Sequence, residues 1–150
     1  MMENNIIQQI KNLFSGADAR DWEKVKAVMN DTITLDYSSM TGNPAISLTP
    51  NDITNAWAAF LPGFDSTHHQ LSNFSVTIDG DLATADYAGK ADHFINQEIW
   101  TVEGTYHTNL KLINGSWLIT GQKFNFTQQS GNTELPALAT QKMQKLNESK

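Results

Sequence analysis

The chain has 150 residues, with 10 Lys plus Arg against 16 Asp plus Glu for a formal net charge of −6, and no cysteine. That length predicts one domain that buries about 68–70% of its unfolded surface, and a hydrophobic share of 39% is too high for a disordered chain. The missing cysteines remove disulfide scaffolds and thiolate catalysis, the acidic balance argues against nucleic acid, and no apolar run reaches the roughly 20 residues of a membrane span.

Helical spacing comes first. Ile6, Ile7, Ile10, Leu13, Phe14 and Ala17 form one apolar stripe. A second helix carries Trp22, Val25, Val28 and Met29, with Asp18 or Asp21 as its start signal. Alternation over Thr32 to Tyr37 predicts a short strand, and Gly42, Asn43 and Pro44 mark a loop after it. A third helix opens with Thr49 as N-cap, Pro50 in first position and Asp52 in the first turn. Its stripe is Ile53, Ala56, Trp57, Phe60 and Leu61.

From Thr67 the period becomes two. Asp79-Gly80 and Asn114-Gly115 read as hairpin turns, and strands are expected over 67–78, 81–94, 99–113 and 116–127. Helices followed by long antiparallel strands give the α+β class. The domain is expected over residues 1–130, with a polar extension over 131–150 whose Leu135, Leu138, Met143 and Leu146 suggest a weak helix. A long sheet wrapped on helices has a concave face, which can line a pocket.

Strand parity selects the inward side chains. In 81–94 the odd set Ala83, Ala85, Tyr87, Gly89 and Ala91 carries His93 inward. In 67–78 the apolar parity switches between Leu71 and Phe74, which one β-bulge near Ser72-Asn73 explains. With it Thr67, His69 and Leu71 face in. Pairing across Asp79-Gly80 sets His69 opposite Gly89, about 13 Å along the strand from His93. The two imidazoles either bracket a ligand or are satisfied separately by neighbours. The even set of 99–113 turns Trp100 and Tyr106 inward, and Tyr37 shares the parity of Ile33 and Leu35. Asp18 lies at the edge of the first stripe. It is either a partly buried acid needing a histidine or a turn acid before the second helix. His68, His69, His93 and His107 lack a metal-ligand spacing, so no metal or other cofactor is expected.

The ordered set Asp18-Ala-Arg-Asp21-Trp22, Ile33-Thr-Leu-Asp36-Tyr37, Thr67-His68-His69 and Asp92-His93 resembles the SnoaL-like group of the nuclear transport factor 2-like superfamily, and within it the scytalone dehydratases. The resemblance spans about residues 5–128. It implies a cone-shaped α+β barrel and a homodimer through the outer sheet face. It also implies acid–base dehydration of a cyclic hydroxy-ketone. Matched residue by residue, it pairs Asp18 with His93, makes His69 a second proton-transfer histidine and places Tyr37 at the substrate carbonyl. A second tyrosine of the pattern falls on Ala17, its asparagine on Tyr106 and its serine on Gly104, so the water-holding and substrate-binding parts differ.

The expected activity is therefore a lyase or isomerase reaction on a small apolar or aromatic carbonyl compound. Asp18, His69, His93 and Tyr37 would act on it, and Trp57, Phe60, Trp100 and Tyr106 would bind it. A non-catalytic binding protein, and an interaction domain with a filled interior, are the alternatives. No membrane or nucleic-acid partner is expected. Because Met1–Gln9 lacks the basic start of a signal peptide, a cytoplasmic location is expected.

Overall fold

The computed structural model describes residues 2–148. Two helices, α1 (Met2–Ala19) and α2 (Trp22–Ala27), precede strand β1 (Met29–Asp36). A short helix α3 (Ser38–Thr41), strand β2 (Ile46–Leu48) and helix α4 (Pro50–Ala58) follow, then a 3-10 turn over Leu61–Gly63. Four long strands come next: β3 (Ser66–Asp79), β4 (Leu82–Ile95), β5 (Glu98–Ile113) and β6 (Ser116–Gly131). Helix α5 (Leu135–Glu148) closes the described chain. The sequence predicts neither α3 nor β2, because four and three residues are too few to show a period. The last two residues of the expected extension lie outside the described ones.

The six strands form one sheet in the order β2-β1-β6-β5-β4-β3, with β1 parallel to β6 and the other neighbours antiparallel. The helices pack on one face of this curved sheet, as the α+β reading requires. Helix α1 supplies Ile6, Ile10, Leu13, Phe14 and Ala17 to the core, all buried. At α4 the capping box forms as expected, with Thr49 and Asp52 exchanging hydrogen bonds at 3.1 Å. The α4 stripe differs in one place: Ala56 is exposed, and Thr54 is buried with its hydroxyl donated to the Pro50 carbonyl at 3.0 Å.

The bulge lies between Ser72 and Ser75, with Asn73 at φ +59°. The turn register differs from expectation. Asp79 pairs with Leu82, so the loop is Gly80-Asp81 and glycine takes the positive φ of its first position. The Asn114-Gly115 turn forms as read. A third two-residue turn, Asn96-Gln97, joins β4 to β5 with both residues at positive φ and no glycine to announce it. Helix α5 docks on the 3-10 turn through buried Leu135 and Ala139, and the lack of a β-carbon at Gly63 admits the Ala139 backbone.

Candidate active site

Helix α1 ends in a Schellman turn. The Arg20 N–H donates to the Ala17 carbonyl at 3.2 Å and the Asp21 N–H to the Gly16 carbonyl at 2.8 Å. Asp21 then caps α2 by accepting from the Lys24 N–H at 3.2 Å. Capping is thus done by Asp21, and Asp18, in the last turn of α1, is left to face β3.

Its carboxylate meets that strand at three points. Oδ1 lies 2.6 Å from His69 Nδ1 and accepts the Thr67 hydroxyl at 2.9 Å, while Oδ2 accepts the His69 backbone N–H at 2.8 Å. Burial pushes the Asp18 carboxyl up, but the bonds and charge from His69 and the Thr67 bond outweigh it and hold it below the usual aspartate value. An ionised carboxylate only accepts, so His69 Nδ1 carries a proton, and in the neutral ring the lone pair is on Nε2.

His93 sits differently. Its Nδ1 is 3.0 Å from the Trp100 carbonyl, which also only accepts, so here too Nδ1 is the donor. Burial pushes this imidazole down to about 4, and the Trp100 carbonyl offsets only part of that. At neutral pH His93 is uncharged. The His69 and His93 rings are 6.4 Å apart between centroids, at 75°.

Tyr37 follows β1. Its hydroxyl oxygen accepts from Gln122 Nε2 at 2.7 Å, which leaves its own hydrogen for another acceptor. Burial pushes this phenol up to about 12, so it stays protonated. The Gln122 Oε1 atom is buried with no partner among the described residues.

These groups surround a cavity of about 220 Å³. His69, His93, Tyr37, Trp57, Phe60, Trp100 and Tyr106, all selected from sequence, line it. Asp18 does not; it reaches the cavity through His69, and its other side opens on an outer cleft shared with Lys11 and His68. The wall is largely aromatic. Phe14 packs 5.1 Å from both His69 and Tyr106 (centroid distances), and Tyr106 stacks on Tyr87 at 5.2 Å. Tyr87 in turn shares a buried hydrogen bond with Thr108 at 2.8 Å. The Tyr106 ring fills the space beside Gly89, where a β-carbon would collide with it. Among the described residues no three His, Asp or Glu side chains converge to hold a metal.

Two expectations need correction. The Asp18–His93 pair does not form, since Asp18 binds His69 and His93 binds a backbone carbonyl. His69 also does not lie opposite Gly89; its partner is Ala91, and Thr67 pairs with His93. The second follows from the turn at Gly80-Asp81, which slides β3 two residues along β4; the first comes from the resemblance alone, and in this chain the Asp18 carboxylate meets β3 instead. That slide brings the histidines together and seats His69 under the end of α1. Parity does not select Phe14, Met40 and Phe124, which also line the cavity, or Thr67 and Gln122 as polar partners. The Phe124/Phe126 alternation in β6 is the one signal that points to Phe124.

A curved sheet on helices, with an acid–histidine pair against an apolar cavity, defines a class of small α+β cone. The chain belongs to the SnoaL-like domain family, which it matches over residues 2–123. It is similar to the crystal structure of the Kfla4162 protein from Kribbella flavida at 26% identity and TM-score 0.84, covering 89% of this chain and 95% of that one. A protein assigned as a scytalone dehydratase from Novosphingobium aromaticivorans is 15% identical with TM-score 0.70, covering 86% of each chain. The hexachlorocyclohexane dehydrochlorinase LinA-type3 from Novosphingobium barchaimii is 12% identical with TM-score 0.70, covering 87% and 89%. No curated protein matches the chain. No helix among the described residues is long and apolar enough to cross a membrane.

Proposed function

We propose that the protein is a lyase or isomerase that moves protons next to a carbonyl of a small, largely apolar molecule held in the cavity. The observation that carries this is the 2.6 Å contact between Asp18 and His69 Nδ1, at the wall of a cavity that His69 itself lines. A charged acid behind the ring and a bare nitrogen in front is the arrangement of a general base.

His69 Nε2 removes a proton α to the carbonyl, and Asp18 stabilises the imidazolium that forms. Tyr37, whose hydrogen is free and whose phenol stays protonated, donates to the developing enolate oxygen. The imidazolium then returns its proton. Delivered to a β-hydroxyl, it releases water and completes a dehydration; delivered to another carbon, it completes an isomerisation. His93 has too low a pKa to be the base at neutral pH, and its open nitrogen accepts a substrate hydroxyl instead. Trp57, Phe60, Trp100 and Tyr106 supply flat apolar walls, and about 220 Å³ suits a compact ring compound rather than a drug-sized one. Two relatives in fold are named as elimination enzymes, a dehydratase and a dehydrochlorinase, which supports the same chemistry.

The test is proton exchange. A panel of cyclic and aryl ketones is incubated in D₂O with the protein, and α-deuteration is followed by NMR. Catalysed exchange is expected for at least one compact ketone and should vanish in His69→Gln. Ketones that raise the melting temperature yet show no exchange would make the protein a passive binder.

A further inference from the structure

We infer that Arg20 is a positioning residue of this site, acting through the Thr67 hydroxyl to fix the Asp18 carboxylate on His69. Its use in turnover rests on the proton-transfer reading above, whereas the relay itself rests on geometry.

The guanidinium of Arg20 reaches three carbonyl or hydroxyl oxygens. Nη1 donates to the Ala17 carbonyl and to Thr67 Oγ1, both at 2.9 Å, and Nη2 donates to the Leu61 carbonyl at 2.8 Å. It thereby joins the end of α1, the start of β3 and the 3-10 turn. A guanidinium cannot accept, so Thr67 Oγ1 is the acceptor at that contact. The single hydroxyl proton of Thr67 then has Asp18 Oδ1 as its partner, at 2.9 Å. The direction of the chain is fixed: Arg20 donates to Thr67, Thr67 donates to Asp18, and Asp18 accepts from His69.

Backbone conformation is an independent sign. Arg20 occupies the left-handed position after α1 at φ +59°, where the Schellman turn ordinarily takes glycine. Glycine would serve the turn better, so the turn does not account for an arginine there. The side chain does, since from this position the guanidinium fork spans Ala17, Thr67 and Leu61. Other charged or titratable groups near Asp18 are Lys11 and His68 in the outer cleft and His93 and Tyr106 on the cavity side, and none of them donates to it.

The 150-residue chain, labelled with ¹³C at aspartate and ¹⁵N at histidine, is titrated by NMR as wild type and as five variants. Thr67→Ser should keep the wild-type midpoint of Asp18. Thr67→Val and Arg20→Gly should each move it upward, and the double variant should move it no further than Thr67→Val alone. Arg20→Lys should behave like Arg20→Gly, because a point charge lacks the fork. In the exchange assay Arg20→Gly and Thr67→Val should lower kcat roughly tenfold or more with little change in KM.

A folded Arg20→Gly with the wild-type Asp18 midpoint would overturn the proposal. So would an Arg20→Lys indistinguishable from wild type, which would reduce the effect to charge. Should Arg20→Gly fail to fold, the contrast between Thr67→Val and Thr67→Ser decides alone: a raised midpoint in the first only supports the relay, and equal midpoints overturn it. If wild type exchanges no ketone, the function proposed above falls while the titrations still judge the relay.

Discussion

His69 and His93 project from neighbouring strands into one cavity, their ring centroids 6.4 Å apart, yet one ring holds a carboxylate and the other a carbonyl. The β3 side of the cavity lies under the end of α1, where Asp18 from α1, Arg20 from the turn after it and Thr67 from β3 bring charge and donors. The β4–β5 side lies between Phe64 and Trp100, whose rings sit 4.8 and 4.4 Å from that of His93. In the proposed mechanism the carboxylate serves to stabilise the imidazolium that the base becomes during turnover. An aromatic sandwich does the reverse and keeps the ring neutral. Two residues of one type thus meet different surroundings, on which the two proposed roles rest.

That contrast can be broken from either side, and the β3 side should respond most. His69→Gln removes the proposed base, and α-proton exchange should fall by about 10²–10⁴-fold with the far-ultraviolet circular dichroism unchanged. Asp18→Asn should approach the same loss, because an amide does not stabilise the imidazolium. Tyr37→Phe removes the donor proposed for the enolate oxygen, and the expected loss is about 10²–10³-fold in kcat.

On the β4–β5 side the effect should appear in stability. His93 titrates at about 4 when folded against 6.5 when unfolded. Between those values the unfolded chain binds the extra proton, so folding weakens as pH falls from 6.5 toward 4 and is unaffected above that window. At ~1.4 kcal/mol per pH unit the full difference is about 3 kcal/mol. Urea melts of wild type and His93→Gln across that range should show the slope in wild type and a flatter line in the variant. Asp18, held below its usual value, adds a loss that begins only as pH falls below about the unperturbed aspartate value. The smallest effect is expected at the floor of the cavity. Gly89→Ala would displace the Tyr106 ring from Tyr87, costing about 1–3 kcal/mol, which the same urea melts would read.

Much of the architecture is legible in the sequence because it depends on period and parity. The α1 stripe, the capping box at Thr49, the bulge near Asn73 and the inward set through Tyr37, His69, His93, Trp100 and Tyr106 all follow from which residues repeat at 3.6 or 2. Register does not. A slip of one residue would turn every side chain to the other face, and the hydrophobic pattern forbids it. A slip of two preserves parity, so nothing in the alternation distinguishes the Asp79-Gly80 loop from the Gly80-Asp81 loop that forms. Nor does the alternation say which histidine Asp18 meets, since its position at the edge of the α1 stripe allows either a buried acid or a turn acid; the structure shows His69. Arg20 was hidden for another reason: a non-glycine residue in a left-handed turn carries no propensity signal.

The central claim is that Asp18 holds the His69 proton on Nδ1 and leaves Nε2 bare toward the cavity. Long-range ¹H–¹⁵N correlation of the histidine side chains reads this directly. The neutral ring of His69 should show a protonated Nδ1 and a lone-pair Nε2, an assignment that Asp18→Asn disturbs. A His69 ring that carries its proton on Nε2 in the wild-type protein would contradict the account.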